Sequence, residues 1–232
     1  LASITISALS LASGDTLQLS GTDVSVNDTI TAANIPNLVY TPSANATGAA
    51  RSTFDFKVND ADSGTVSAVM TINVTAVNDL PVASASSVTT NEDTAKTFVA
   101  GDFQYTDVEV DALASITVSN LGLAAGDTLA VDQGSGAVAV TNGMTITAAQ
   151  IATLTYTPAA GVFGASDFDV TVQDDGGTAD GGVDTSPATT FTITVSANTP
   201  PTISAIADQG ILEDGTTGAL AFTVGDAETA AS

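Results

Sequence analysis

Residues 113 to 129 read LASITVSNLGLAAGDTL, and residues 1 to 17 read LASITISALSLASGDTL. The two stretches match almost letter for letter at an offset of 112 residues. Two further pairs of stretches match at offsets of 116 and 114 residues: TITAANIPNLVYTP (29–42) with TITAAQIATLTYTP (145–158), and STFDFKVND (52–60) with SDFDVTVQD (166–174). Because loops tolerate insertions, the drifting offset indicates constant strands joined by variable turns. The chain therefore contains a repeat with a period of roughly 116 residues.

Each repeat is built of short runs of alternating or β-branched residues, such as SITVS, TLAV, TLTYTP, DFDVTV and TFTITV. Gly, Asp, Asn and Pro bound these runs, which is typical of short β-strands joined by turns. Roughly seven or eight runs per period predict an all-β fold of tandem Greek-key β-sandwich domains arranged head to tail. TAANIPNL and TAAQIATL each predict one helical turn, with Thr31 and Thr147 as possible N-caps.

The core of each domain is expected to be thin and aliphatic, because aromatic residues make up only 5% of the chain. Tyr40 and Tyr156, each followed by Thr-Pro, are expected to bury their rings, with the hydroxyl reaching the backbone. The predicted core residues of the complete repeat are Ile116, Val118, Leu129, Ile146, Leu154, Tyr156, Phe168, Val170, Val172, Ile193 and Val195.

The phase of the repeat predicts three pieces. Residues 1–80 form the C-terminal part of one repeat with its first strands missing, residues 81–199 form a complete repeat, and residues 200–232 form the N-terminal part of a further repeat. Joining the end to the start gives DAETAAS–LASITIS, which nearly regenerates DVEVDALASITVS (107–119). Two interpretations stay open. The chain is excised from a continuous array, or residues 200–232 of one copy complete residues 1–80 of another.

The composition excludes several functions. The formal net charge is −23, from 26 acidic and three basic residues, and a polyanion is repelled by nucleic acids and anionic membranes. We find no apolar run long enough to span a bilayer and no signal peptide. The absence of Cys and His excludes disulfides, thiolate metal sites and Ser/His/Asp triads. A catalytic carboxylate pair would not be copied into every repeat, so we predict no enzyme and no small-molecule substrate.

Acidic residues gather at a few places in the repeat. Asp107, Glu109 and Asp111 alternate in TDVEVDALASITV (106–118), and in extended chain they would share one face about 6.6 Å apart and repel each other. The other acidic stretches are NED (91–93), VNDADSG (58–64), VQDDGG (172–177) and the linker VNDLP (77–81). We expect the late-strand stretches and the linker at the exit end of one domain and DVEVD at the entrance of the next. Calcium prefers six to eight hard oxygen ligands, so we predict Ca²⁺ where these stretches meet.

Four features occur in a fixed order in the repeat: an Asn-Asp-x-Pro linker, a Glu near the first strand, an Asp-x-Glu pair before a strand and an Asp after a late strand. This ordered set resembles cadherin-like repeats. It is most similar to the bacterial cadherin-like (Ig-like) tandem repeats of large adhesins secreted by the type I pathway. The resemblance covers all three pieces and implies an extracellular, calcium-binding β-sandwich. The second linker, SANTPP (196–201), departs from the pattern because it keeps Asn198 and has no acid. The metal ligands that the resemblance implies are Asp60, Asp62, Asn78, Asp79, Glu92, Asp107, Glu109, Asp111, Asp174, Glu213, Asp226 and Glu228.

These features predict a non-catalytic structural extender of a secreted or cell-surface bacterial adhesin, made rigid by calcium at the domain junctions. Its partners would be neighbouring repeats, head to tail. The alternative is a subunit of an extracellular filament, in which residues 200–232 and 1–80 of neighbouring copies pair by strand complementation. A carbohydrate- or protein-binding module is a weaker third possibility, because the sequence shows no cluster of exposed aromatic residues.

Overall fold

The computed structural model describes residues 1–60, 62 and 65–226. The chain divides into two compact units. The first unit comprises Leu1–Asn78 with Thr178–Gly182, and the second comprises Asp79–Gly177 with Val183–Ser232.

The first unit has two antiparallel sheets. One is four-stranded with the order β4-β1-β6-β7, and the other is three-stranded with the order β3-β2-β5. The strands are β1 (Ser3–Ser10), β2 (Thr16–Leu19), β3 (Thr22–Asp23), β4 (Thr29–Thr31), β5 (Leu38–Thr41), β6 (Gly48–Asn59) and β7 (Thr65–Val74), with a 3₁₀ helix at Ala32–Asn37.

The second unit has a five-stranded sheet, β15-β12-β17-β18-β9, and a four-stranded sheet, β10-β16-β13-β14. Two strand pairs, β11-β8 and β19-β20, are separate. The strands are β8 (Val82–Ala83), β9 (Ser86–Asn91), β10 (Lys96–Thr97), β11 (Tyr105–Thr106), β12 (Leu113–Gly122), β13 (Thr128–Asp132), β14 (Ala137–Ala139), β15 (Met144–Thr147), β16 (Thr155–Thr157), β17 (Gly164–Asp174), β18 (Thr189–Ser196), β19 (Thr202–Ile203) and β20 (Val224–Gly225). The helical segments are α1 (Ala148–Ile151) and 3₁₀ turns at Ala100–Phe103 and Ala179–Gly181.

The two units share one strand arrangement. The pairing of β1, β4, β6 and β7 is that of β12, β15, β17 and β18, and the pairing of β2, β3 and β5 is that of β13, β14 and β16. Strand β9, which pairs in parallel with β18, and strand β10 have no counterpart among the described residues of the first unit. The predicted all-β, tandem Ig-like fold is confirmed.

The alternation of β12 places its apolar residues in the core. Ile116 and Val118 are fully buried, and Ile116 lies opposite both Ile146 and Val172 on the neighbouring strands. Full burial of one such side chain contributes about 1.5–3 kcal/mol. All eleven predicted core residues are buried, each at most 5% exposed, so this prediction is confirmed.

Aromatic packing departs from the expectation of an aliphatic core. Four of the chain's eight phenylalanines, Phe98, Phe103, Phe168 and Phe191, are fully buried together in the second unit. The Phe168 and Phe191 rings stack with centroids 5.2 Å apart. A composition average cannot reveal such a cluster, because it ignores where the rings gather.

Both predicted helical turns are present. Thr147 caps α1, since its side chain accepts a hydrogen bond from the N–H of Gln150 at 3.3 Å and Gln150 Oε1 accepts one from the N–H of Thr147 at 3.0 Å. Thr31, within the described residues, makes no side-chain cap on the 3₁₀ helix that follows it. That six-residue helix is the longest in the described part of the chain, and no helix there could cross a membrane.

Candidate functional site

The DVEVD stretch, residues 107–111, forms a loop between β11 and β12. Asp107 Oδ1 accepts a hydrogen bond from the N–H of Asp111 at 3.0 Å, and Val110 has a left-handed backbone with φ 67°. The prediction that Asp107, Glu109 and Asp111 share one face of extended chain is therefore wrong. The physical reason is that an Asp side chain can bind a nearby backbone N–H and so compete with extended structure.

Glu109 contacts the start of the second unit. Its Oε2 accepts a hydrogen bond from the N–H of Asp79 at 3.3 Å, and both residues are half-buried. These two predicted ligands are therefore neighbours. Asn78, the residue directly before Asp79, is also half-buried and belongs to the first unit.

Asp174 ends β17 and lies opposite Leu113, the first residue of β12. The next residue, Asp175, accepts a hydrogen bond from the N–H of Ala112 at 2.7 Å and donates its own N–H to the carbonyl of Ala112 at 3.0 Å. The end of β17 thus lies beside the DVEVD loop of its own unit. The prediction that VQDDGG lies at the exit end is wrong, because β17 runs antiparallel to β18 and only β18 leads to the exit.

Negative charge is concentrated around this loop. Burial raises the pKa of Asp111, and the charges of Asp107, Asp175 and Asp174 raise it further. Burial and the same carboxylates raise the pKa of Tyr105 to about 12, and the Tyr105 hydroxyl donates to the carbonyl of Asp111 at 2.6 Å. A cation placed here would therefore be attracted by several carboxylates at once.

One carboxylate oxygen of the loop, Asp107 Oδ2, is buried without a hydrogen-bond partner among the described residues. Such an oxygen is costly unless something compensates it, and hard oxygens are what calcium binds. In the described part of the chain, however, no three acidic side chains converge closely enough to hold a metal ion. Carbonyl and water oxygens, which calcium also accepts, would have to complete a coordination shell.

Glu92 lies at the other end of the second unit. Its Oε1 accepts a hydrogen bond from the N–H of Asn198 at 3.0 Å, and its N–H donates to the carbonyl of Ser196 at 2.9 Å. β17 spans this unit from Gly164, opposite Val195, to Asp174, a length of about 33 Å at roughly 3.3 Å per residue. Glu92 and Asp174 are thus separated by the length of the sheet and cannot share one ion.

The remaining predicted ligands lie outside this loop. Asp60 and Asp62 follow β6 in the first unit, where Asp60 Oδ1 accepts a hydrogen bond from the N–H of Asp62 at 3.0 Å. Glu213 is exposed and Asp226 is half-buried. Glu228 lies outside the described residues.

The sequence analysis did not predict a largely buried polar cluster in the second unit. Its centre is Asp127, whose carboxylate accepts hydrogen bonds from the hydroxyl of Tyr156, from Ser166 Oγ at 2.7 Å and from the N–H of Ala159 at 2.9 Å. Ser166 Oγ in turn accepts one from the N–H of Ala124 at 2.9 Å. The cluster ties the turn before β13 to β16 and β17.

The first unit repeats this cluster. Asp15 accepts hydrogen bonds from the hydroxyl of Tyr40 at 2.5 Å, from Ser52 Oγ at 2.8 Å and from the N–H of Ser43 at 3.0 Å. Arg51 adds an ion pair to Asp15 at 2.8 Å. The prediction that the tyrosine hydroxyls reach the backbone is wrong, since each reaches a carboxylate. The signal was present in the sequence, because GDTL occurs at the same place in both repeats.

The environments of Asp15 and Asp127 favour the ionised form of both carboxylates, since the pKa of each is lowered. The hydrogen bond from Arg51 holds the pKa of Asp15 well below its usual range. Burial raises the pKa of Asp127, but hydrogen bonds from Tyr156, Ala159 and Ser166 outweigh burial and lower it overall. The cluster is fully hydrogen-bonded, which gives it a structural role and not a binding role.

The Ig-like arrangement of the two units agrees with a comparison of families. A family model described as bacterial Ig domain matches residues 2–73 and 78–186, more than half of the chain. The chain belongs to the bacterial Ig domain family. These bacterial Ig domains are in tandem, and the family is typically non-catalytic and commonly extracellular or displayed at the cell surface. A search of curated proteins finds no match.

Proposed function

We propose that these tandem bacterial Ig domains form a non-catalytic extender of a secreted or cell-surface adhesin, and that calcium stiffens the entrance of each repeat. Asp107 would ligate the ion in the second unit, with carbonyl and water oxygens completing its shell, and the nearby charges of Asp111 and Asp174 would attract it. Asp79 and Glu109 would carry its effect to the linker, since they are joined by a hydrogen bond. The bound ion would neutralise charge and limit rotation about the linker.

The observation that carries the proposal is the buried Oδ2 of Asp107, which has no hydrogen-bond partner among the residues that the structure describes. Its side chain belongs to a loop where burial and neighbouring charges raise the pKa of Asp111. Both features cost stability in the absence of a cation, and a hard cation would remove both costs.

Charge balance supports the same proposal. The chain has only three basic residues, and two of them are engaged elsewhere: Arg51 pairs with Asp15, and Lys96 pairs with Asp102 at 3.4 Å. A mobile divalent ion is therefore the better source of positive charge for the DVEVD loop.

Thermal unfolding in 10 mM calcium and in chelator tests the proposal. Extracellular calcium modules bind with dissociation constants of about 10⁻⁴–10⁻³ M. Such binding to the folded state alone adds about 1.4–2.7 kcal/mol, a rise of roughly 3–10 °C in the melting temperature of the second unit. Asp107→Asn should abolish most of this rise.

Asp167→Asn is the matched control, because Asp167 is exposed and lies in β17 opposite Gly122, at the end of the strand away from Asp174. It removes the same charge and should leave the calcium-dependent rise intact. An equal rise in wild type and Asp107→Asn, or no rise in either, contradicts the assigned site.

A further inference from the structure

The five-stranded sheet of the second unit places the strand by which the chain comes in beside the strand by which it leaves. β9 is the edge strand of this sheet, and β18 is its neighbour among the described residues. The two strands run parallel over six residue pairs, from Ser86 opposite Phe191 to Asn91 opposite Ser196. Both strands therefore point toward the exit end of the unit.

Parallel pairing decides how tension along the chain acts on this sheet. Tension on the chain before β9 pulls β9 back toward the entrance end, and tension on the chain after β18 pulls β18 forward at the exit end. The two strands would have to slide past each other along their axes. The hydrogen bonds of a parallel ladder are evenly spaced along the strands. Sliding loads them all together, whereas peeling the strands apart from one end loads them one after another.

Two further hydrogen bonds strengthen the pair at its exit end. The N–H of Glu92, the residue after β9, donates to the carbonyl of Ser196 at 2.9 Å. Glu92 Oε1 accepts a hydrogen bond from the N–H of Asn198 at 3.0 Å. Glu92 thus holds both the last residue of β18 and the chain that follows it, and these bonds also oppose sliding.

Side chains on the inner face of the pair add to this resistance. Val88 of β9 is 9% exposed and belongs to the same core cluster as Phe191, Ile193 and Val195 of β18. Protein cores are close-packed, so a shift of even one side chain disturbs its neighbours. Sliding β9 along β18 would drag Val88 out of its place among them.

The strand pairs before and after β9 are much shorter. β8 pairs with β11 over two residue pairs, and β10 pairs with β16 over two. Tension would release β8 before it reaches β9, and once β9 has separated from β18 the next pair along the chain could hold little. The resistance of the second unit to stretching is therefore concentrated in the pair of β9 and β18.

We propose that the β9–β18 pair is a mechanical clamp, the element that keeps the second unit folded when the chain is stretched. The inference takes from the proposed function only that an extender at a cell surface transmits tension along its chain. It makes no use of the calcium site, since the clamp lies in the strand pairing and in the contacts of Glu92.

Single-molecule force spectroscopy in two pulling directions tests the proposal on the full chain. The chain contains no cysteine, so a pair of introduced cysteines fixes the two points at which force acts. Leu80→Cys with Pro200→Cys pulls β9 and β18 along their axes in opposite directions. Ser84→Cys with Ala188→Cys pulls from the residues just before the two strands, at the same end of the pair. All four positions are exposed.

The unfolding force in the first direction should be severalfold higher than in the second, because the first shears the ladder and the second peels it. The unfolding event is recognised by its length, since residues 81–199 extend to at most about 430 Å at about 3.6 Å per residue. Equal forces in the two directions overturn the proposal, as does a lower force in the first. Measuring in chelator keeps this outcome separate from the thermal test of calcium binding.

Variants of Glu92 test the exit end of the clamp. Glu92→Ala should lower the unfolding force in the first direction and change it little in the second, because peeling begins at the other end of the pair. Glu92→Gln is the matched control, since it keeps a side-chain oxygen that can accept from the N–H of Asn198, and it should retain the wild-type force. A Glu92→Ala variant that loses force equally in both directions, or in neither, overturns the role of Glu92.

Discussion

At the scale of single residues, the hydrogen bond from Tyr156 to Asp127 should stabilise the second unit. Tyr156→Phe removes the hydroxyl that donates a hydrogen bond to the carboxylate of Asp127, and we expect a loss of about 1–3 kcal/mol in the free energy of unfolding. Tyr40→Phe should cost less, because Asp15 keeps its ion pair with Arg51. Calorimetry, which separates the transitions of the two units, measures both changes. Equal losses would contradict the supporting role of Arg51.

At the scale of elements, the turn between β12 and β13 requires glycine at position 126. Gly126 has φ 91°, and a Cβ there would lie 2.9 Å from Cβ of Ala159. Gly126→Ala should therefore destabilise by more than the roughly 1–3 kcal/mol of backbone strain alone. Gly134→Ala is the matched control, since Gly134 has φ 94° and open space around it. Chemical denaturation compares the two, and an equal loss would show that the contact with Ala159 is unimportant.

The conformation and burial of individual strands were predictable only in part. The alternation of β12 and β17 predicted which residues are buried, because a half-buried strand has a period of two. The same alternation failed for DVEVD, where Asp107 closes a turn onto Asp111. A side chain that bonds to the backbone four residues later leaves no trace in a hydrophobic pattern.

At the scale of the whole molecule, acid should destabilise the chain through the carboxylates that accept several hydrogen bonds. Asp127 has a lowered pKa in the folded state, so the folded state binds fewer protons than the unfolded state. Its stabilisation is present above the unfolded pKa of about 3.9 and is lost as the pH falls below that value. Melting temperatures of wild type and Asp127→Asn between pH 7 and pH 2 measure this effect. Their difference should shrink toward low pH, and the comparison cancels the influence of the net charge. A constant difference would contradict the assignment.

The candidate site was predictable as a set of residues and not as an arrangement. Asp107 and Asp111 lie in the DVEVD loop, and the carboxylate of Asp174 lies near them. The sequence analysis had predicted Asp174 at the opposite end of the unit. Strand direction decided the position of Asp174, because β17 returns toward the start of its own unit. Strand direction also places Glu92 at the exit end of the unit, because β9 runs parallel to β18.

The sequence by itself determined the repeat, the all-β class and the buried residues. Hydrophobic periodicity and turn residues are local properties, and they occur again in every repeat. Only the tertiary structure decided that the carboxylate of Asp127 accepts a hydrogen bond from the hydroxyl of Tyr156, and that the acidic residues divide between two ends of a unit. These outcomes depend on which strands become neighbours. Neighbours across a sheet are distant along the chain, and no local pattern encodes their distance or direction.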